Sequence, residues 1–310
     1  MPSAISLRAR PFGLGSSSRY IIRQDRYGLQ YWLLIDIFRR LGGTEMDLEL
    51  AGKSVLVTGG SRGIGRAIAE TLLEEGAQVV LAARTEEELM STRDDLSGRG
   101  RRVHAYVCDT TNSESADRLV DFTVTRTGSL HVLVNAAAVP GTPAPDLDAL
   151  SHDAHDYSEF LESKLLGYLY CAQAAARVMI RNQWGRIINI GGMAYRTSGS
   201  VLGSARNAGV AAMTKNLADA LAGKGIGVVA IHPGLTETER VAKLIRKRAT
   251  NEGRTPKEIR ASLEARTLLG RLQTPRDIAN VVAFVSSPLS IAINGDSIPA
   301  MGGLPNCIYY

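Results

Sequence analysis

Cysteine is scarce in this chain. Cys108, Cys171 and Cys307 are the only three in 310 residues, and their odd number and wide spacing suggest neither a disulfide framework nor a zinc site. A reducing compartment suits such a chain, so the cytoplasm is the expected location. Long apolar runs are missing as well: the stretch Tyr31 to Phe38 is interrupted by Asp36, and a bilayer span needs about eighteen residues or more. No membrane partner is expected. Internal repeats and low-complexity tracts are also absent. The body of the chain carries little excess of either charge. The formal net charge is +5, but residues 1–45 hold seven Arg against Asp25, Asp36 and Glu45, a contribution of +4 that leaves +1 for the remainder. A nucleic-acid surface needs clustered Lys and Arg on one face, and nothing here supplies it.

Residues 1–45 differ in kind from the rest, with Arg8, Arg10, Arg19 and Arg23 among Ser and Gly and no acid before Asp25. This N-terminal extension, expected to be disordered, has three competing readings. It is an over-extended start with Met46 as the working initiator, a transit peptide that would send the protein to mitochondria, or an amphipathic arm. Residues 46–310 read as one domain, a size at which a single α/β core is the natural solution.

From Lys53 onward, short β-branched runs alternate with helical periods. The runs are 54–58, 78–82, 103–107, 131–135, 186–190 and 227–231, with a seventh near Ile298. Helices follow the first two, reaching Glu75 and about Leu96, and two long ones are placed at about 157–182 and 205–223. Apolar runs without strict alternation imply a sheet covered on both faces. The fold class expected is α/β, a doubly wound parallel sheet of about seven strands of the Rossmann type.

The segment Thr58-Gly59-Gly60-Ser61-Arg62-Gly63-Ile64-Gly65 ends the first strand and opens the first helix. Glycine permits the tight turn and close backbone approach, and the helix N-terminus offers unpaired N–H groups to a pyrophosphate. The context marks a dinucleotide site. An enzyme preferring NAD places an acid at the end of the second strand. Here that strand ends Ala82-Ala83-Arg84, and Arg62 with Arg84 suits a 2′-phosphate, so NADP(H) is expected over NAD(H). The competing reading makes Arg84 a solvated residue at a helix start.

From about Leu48 to Gly303 the chain resembles the short-chain dehydrogenase/reductase superfamily, with a layout like that of the β-ketoacyl carrier-protein reductases. Four motifs in order carry the resemblance: the glycine loop; Cys108-Asp109-Thr110; Asn135-Ala136-Ala137-Ala138; and Pro233-Gly234-Leu235-Thr236-Glu237-Thr238. The resemblance implies that Gly59, Ser61, Arg62, Gly63, Ile64, Gly65, Arg84, Asp109, Thr110, Asn135, Ala136, Ala137, Pro233, Gly234, Thr236 and Thr238 bind the cofactor. It also implies a homodimer or homotetramer with helices 157–182 and 205–223 at the interface, and a substrate lid at about 235–271.

The proton-transfer residues implied by the family do not match. Alignment on 185–190 and 208–215 puts the family's Ser on Gly191 or Gly192 and its Tyr-x-x-x-Lys on Gly203 to Asn207. The family's Asn on the preceding helix falls on Lys164. The Lys and Asn positions thus look exchanged, and Lys164 with Asn207 is expected to keep an ammonium in the same pocket; a surface Lys164 is the competing reading. Tyr195, on the loop after the fifth strand, is the candidate to replace the Tyr, with Ser198, Ser204 and Arg206 behind it. Alternatively Tyr195 is a loop aromatic packing on the lid. Tyr157 and Lys164 form a Tyr-x6-Lys that precedes the fifth strand and is read as coincidence.

His152-Asp153-Ala154-His155-Asp156 holds metal-ligand types, but Asp before a helix is capping chemistry, and no metal is expected. Between Glu237 and Arg271 stand ten Lys or Arg and five Asp or Glu. A basic lid suits an anionic or thioester-linked small molecule; a solvated helical pair laced with i,i+4 charges is the blander reading. The function expected is an NADP(H)-dependent oxidoreductase acting on a carbonyl or alcohol with a rearranged catalytic set. A cofactor-binding protein without redox chemistry, serving as sensor, scaffold or non-redox catalyst, is the alternative.

Overall fold

The computed structural model describes residues 46–138, 158, 160–197 and 200–305. The N-terminal extension, His152–Asp156, Tyr157, Ser198 and Cys307 lie outside them. Seven strands form one parallel sheet: β1 Ser54–Thr58, β2 Gln78–Ala83, β3 Val103–Val107, β4 Val132–Asn135, β5 Gly185–Ile190, β6 Ile226–Pro233 and β7 Ser297–Ala300. Their spatial order is β3-β2-β1-β4-β5-β6-β7. The order reverses between β1 and β4, whose last residues Thr58 and Asn135 are register partners. Ligands of open parallel sheets bind outside the carboxyl ends of the strands at such a reversal.

Alternation along each strand divides the core between two faces. Val55, Val57, Val79 and Leu81 pack with Ile68 and Leu72 of helix α1 (Gly63–Glu74), Leu89 of α2 (Glu86–Leu96) and Ile278 and Val282 of a late helix, Pro275–Ser286. On the other face Leu56, Val80 and Leu133 meet Leu119 of α3 (Ser113–Thr127), Cys171 and Met179 of α4 (Gly167–Asn182) and Leu221 of α5 (Val201–Leu221). Each such side chain taken fully out of water contributes about 1.5–3 kcal/mol. After β6 come α6 (Glu239–Glu252) and α7 (Pro256–Glu264). Val241, Ile245, Ile259 and Leu263 form a satellite core, and Arg248–Glu252 of α6 and Arg260–Glu264 of α7 are the i,i+4 ion pairs of the blander sequence reading. The late helix at Pro275–Ser286 is α8, capped by a reciprocal Thr274–Asp277 box.

Two helix boundaries depart from the sequence reading. The helix placed at 205–223 begins at Val201, because the Ser200 side chain accepts from Gly203 N and caps it four residues early. The helix expected over 157–182 carries a π-turn at Glu162–Leu166 before α4 begins.

Arg186 of β5 is buried, and its guanidinium donates to Val285 O (2.9 Å), Ile293 O (3.2 Å), Ser290 O (3.0 Å) and Ser290 Oγ (2.5 Å). Its register partner is Gly227, where a Cβ would lie 2.1 Å from Arg186 Nη1. The ion therefore bolts β5 to the end of α8. Arg186→Ala removes four hydrogen bonds from a buried ion and leaves Ile293 O without its donor, and we expect it to lower the unfolding free energy by about 3 kcal/mol in a urea titration.

Candidate active site

The glycine loop is tight for reasons visible atom by atom. Gly59 has φ +67°, and a Cβ there would stand 2.7 Å from Ala136 O; a Cβ on Gly65 would stand 2.1 Å from Gly59 O. The N–H groups of Gly59 and Gly60 donate to Ala82 O at 2.7 and 3.2 Å, and Ser61 O accepts from Thr92 Oγ1 at 2.6 Å. Helix α1 starts at Gly63 with no acidic residue in its first turn, so its N-terminal dipole meets no carboxylate of its own helix there. Ile64 anchors the turn by packing on the core.

The other motif residues converge on the same sheet edge. Thr58 Oγ1 accepts from the N–H groups of Ala136 and Ala137, both at 3.2 Å. Buried Asn135 donates to Tyr168 O (3.2 Å) and Asn189 Oδ1 (3.0 Å), while its own Oδ1 has no hydrogen-bond partner among the described residues. Asp109 is exposed and turns the chain by accepting from Thr111 N and Oγ1; Thr110 beside it is buried. Pro233 ends β6, Gly234 N donates to Ala300 O and Gln273 Oε1, and Thr236 Oγ1 donates to Gly234 O. Thr238 and Gly63 border a cleft of about 250 Å³ lined also by Arg66, Ala67, Glu70, Glu237, Glu239 and Pro275. At the other end of the loop, Arg62 reaches Glu88 of α2 at 3.2 Å, and Arg84 is exposed at the end of β2. Glycines with no room for a Cβ, an open helix N-terminus and two rim guanidiniums fit a dinucleotide pyrophosphate and its adenosine end.

A second cluster lies beyond β5. The π-turn aims Lys164 inward; such turns recur at functional sites. Lys164 is 5% exposed, and its Nζ donates to Gly191 O (2.9 Å) and Asn207 Oδ1 (3.1 Å). It also lies 5.9 Å from the ring centroid of Tyr168, whose hydroxyl donates to Ile190 O. Asn207 is held in turn, donating to Gly203 O at 2.8 Å. Burial, reinforced by the Arg206 and Arg240 guanidiniums, holds the Lys164 ammonium well below the ordinary lysine range. Arg206 is buried with its guanidinium 3.5 Å from the Phe160 ring centroid. Ser204 donates to Thr197 O.

Tyr195 closes the short turn Met193–Tyr195, and its ring stacks on His232 with centroids 3.7 Å apart and planes 16° apart. His232, fully buried on β6, escaped the sequence reading.

A model of the short chain dehydrogenase family matches residues 53–249. The chain belongs to the short-chain dehydrogenase family. Its relatives include a 3-oxoacyl-[acyl-carrier-protein] reductase of Aquifex aeolicus, 32% identical over 84% of this chain and 100% of the relative. A diacetyl reductase, (S)-acetoin forming, of Staphylococcus epidermidis is 34% identical over 81% and 98%. Among solved structures, L-sorbose reductase from Gluconobacter frateurii complexed with NADPH and L-sorbose superposes with a TM-score of 0.78 at 25% identity, covering 85% of this chain and 100% of that one. A variant of actinorhodin polyketide ketoreductase with NADPH gives 0.76 at 30% identity, covering 82% and 98%. This short-chain dehydrogenase is therefore an NAD(P)-dependent oxidoreductase. Among the described residues no group of three His, Cys, Asp or Glu is placed to hold a metal, and no helix is long and apolar enough to cross a membrane.

His232 also gives this short-chain dehydrogenase an acid sensitivity. Burial, with Lys164 and Arg196 nearby, pushes its imidazole down to about 4, although a bond to Gly192 partly offsets this. An unfolded imidazole titrates near 6.5. Between these values the unfolded chain binds a proton and the folded chain does not, so stability falls as the pH drops from about 6.5 to about 4 and levels off below. The loss from this one group is about 3 kcal/mol. Urea midpoints at pH 7 and pH 4.5 are expected to differ less in His232→Gln than in the parent chain; an equal difference would refute the assignment.

Proposed function

We propose that this chain is an NADP(H)-dependent reductase of a small carbonyl compound in which Lys164, Asn207 and Tyr195 replace the family's usual proton-transfer set. The reading rests on one observation above the others: Lys164 Nζ is buried against Asn207 Oδ1 and Gly191 O. By the resemblance, Gly203 and Asn207 stand at the family's Tyr and Lys positions, and Lys164 at its Asn. The ammonium and its amide partner have traded chain positions while sharing one pocket.

Gly59, Ser61, Gly63, Ile64 and Gly65 cradle the pyrophosphate, and Arg62 and Arg84 hold the 2′-phosphate, Arg62 exchanging its exposed contact with Glu88 for the ligand. Asp109 and Thr110 border the adenine; Asn135, Ala136 and Ala137 line the nicotinamide ribose side; Pro233, Gly234, Thr236 and Thr238 face the carboxamide. When bound, the reduced nicotinamide supplies the hydride. The protein's task is then to deliver a proton to the carbonyl oxygen. Tyr195 gives its phenolic proton; the phenolate left behind favours the protonated form of Lys164, and that ammonium lowers the cost of the phenolate until water returns a proton. Asn207 keeps the ammonium from swinging away. Relatives that reduce 3-oxoacyl thioesters, diacetyl and L-sorbose favour a small carbonyl substrate. The ten Lys and Arg of 237–271 favour an anionic or thioester-linked one under a lid formed by this segment. A homodimer or homotetramer through α4 and α5 completes the reading.

The test is absorbance at the reduced nicotinamide band with purified protein, NADPH or NADH, and a panel of ketones, diketones, ketoses and 3-oxoacyl thioesters. Turnover with NADPH at a higher kcat/KM than with NADH supports the reading. Tight NADPH binding with no turnover on any member supports a cofactor-binding protein without redox chemistry instead.

A further inference from the structure

A proton donor displaced by as little as about 1 Å loses much of its effect, and Tyr195 ends the single turn Met193–Tyr195, with the Arg196 guanidinium 5.0 Å from its ring centroid. We infer that His232 is the positioning residue that fixes the Tyr195 ring, an inference resting on the reading of Tyr195 as proton donor. Three observations meet at this imidazole. The first is a matched void. Gly191 has no side chain, and a Cβ there would stand 2.3 Å from His232 Nδ1 and 2.5 Å from Cε1. The imidazole fills the space that any other residue at 191 would claim.

The second observation is a tether. Nδ1 lies 3.3 Å from Gly192 N and 3.2 Å from Gly192 O, so whichever tautomer is present, the ring plane is pinned to Gly192. Tyr195 N donates to the same Gly192 carbonyl at 3.3 Å. Backbone and ring of the tyrosine are thus referenced to one glycine.

The third is the stack itself, 3.7 Å between centroids at 16°. Nearly parallel rings confine the phenol to a plane, and such aromatic contacts contribute beyond their area. A role in packing alone is a poor account of the residue. Its Nε2 is buried with no partner among the described residues, an expense that Phe or Leu would avoid. Lys164 completes the arrangement by holding the neighbouring Gly191 carbonyl, so ammonium, imidazole and phenol are all registered on Gly191-Gly192.

The experiment combines kinetics with a signal that needs no turnover. His232→Ala is expected to lower kcat at least 20-fold with little change in KM, while His232→Phe, which restores a flat ring without the Nδ1 tether to Gly192, loses only part of that. In a Tyr195→Phe background, His232→Ala is expected to cost less than twofold more. In parallel, 3-fluorotyrosine placed at position 195 reports ring position by 19F NMR. The parent and His232→Phe are expected to give one ring-current-shifted line, and His232→Ala a line at the free-tyrosine position. If His232→Ala does not fold, His232→Leu takes its place with the same expectations. Equal losses in the Phe and Ala variants, an undiminished loss in the Tyr195→Phe background, or an unmoved fluorine line would each overturn the inference. If the parent turns over nothing, the reductase reading fails by itself, and the fluorine shifts still decide whether His232 positions Tyr195.

Discussion

Lys164→Ala is expected to lower kcat by about 100-fold or more, equivalent to about 2.7 kcal/mol of transition-state stabilisation. The ammonium matters most when the phenolate forms, so the loss falls on kcat more than on the KM for the carbonyl. A second loss accompanies it. Gly191 O and Asn207 Oδ1 lose their donor inside the protein, and an unpaired buried acceptor costs about 1–3 kcal/mol. Stability and activity must therefore be measured on the same preparation. The reciprocal swap separates them: Lys164→Asn combined with Asn207→Lys restores an ammonium and an amide to the pocket in exchanged places. The double variant is expected to recover at least tenfold over Lys164→Asn alone. No recovery would mean that the two side chains share a pocket without sharing a task.

Gly65→Ala is expected to weaken NADPH binding by 100-fold or more while leaving the fold intact. A Cβ at this position would lie 2.1 Å from Gly59 O and 2.9 Å from its carbonyl carbon, and the atoms it meets are backbone that cannot rotate away. The loop must open, and the N–H groups that would face the pyrophosphate move with it. Titration of NADPH fluorescence checks the affinity and circular dichroism checks the fold. Gly98→Ala is the control, because a Cβ there meets nothing within 4 Å; its affinity should match the parent.

The sheet was legible because buried parallel strands are β-branched runs bounded by turn residues, as in Ser54–Thr58 and Gly185–Ile190. The dinucleotide loop was legible because strand, glycines and helix stand in order. Local capping was less so: Ser198-Gly199-Ser200 reads as loop, yet Ser200 caps α5 and draws Gly203 into its first turn. The π-turn that buries Lys164 has no composition of its own, since Glu162-Ser163-Lys164 suits an ordinary exposed helix. His232 left a signal that went unread. Alternation along β6 puts it on the same face as Ala230, which packs against Tyr168 and Val210, and a charged-type residue facing that core needs a reason. Its contact with Tyr195 joins a strand to a turn 37 positions earlier, and no local pattern encodes such a pairing.

The most direct measurement follows the hydrogen itself. NADPH deuterated at C4 of the nicotinamide is mixed with the protein and the best carbonyl of the panel, and the alcohol product is weighed by mass spectrometry. The account predicts one deuterium on the former carbonyl carbon from one of the two C4 isotopomers, with that transfer lost in step with kcat in Lys164→Ala. Alcohol without deuterium from either isotopomer, or bound NADPH that no carbonyl oxidises, would contradict it.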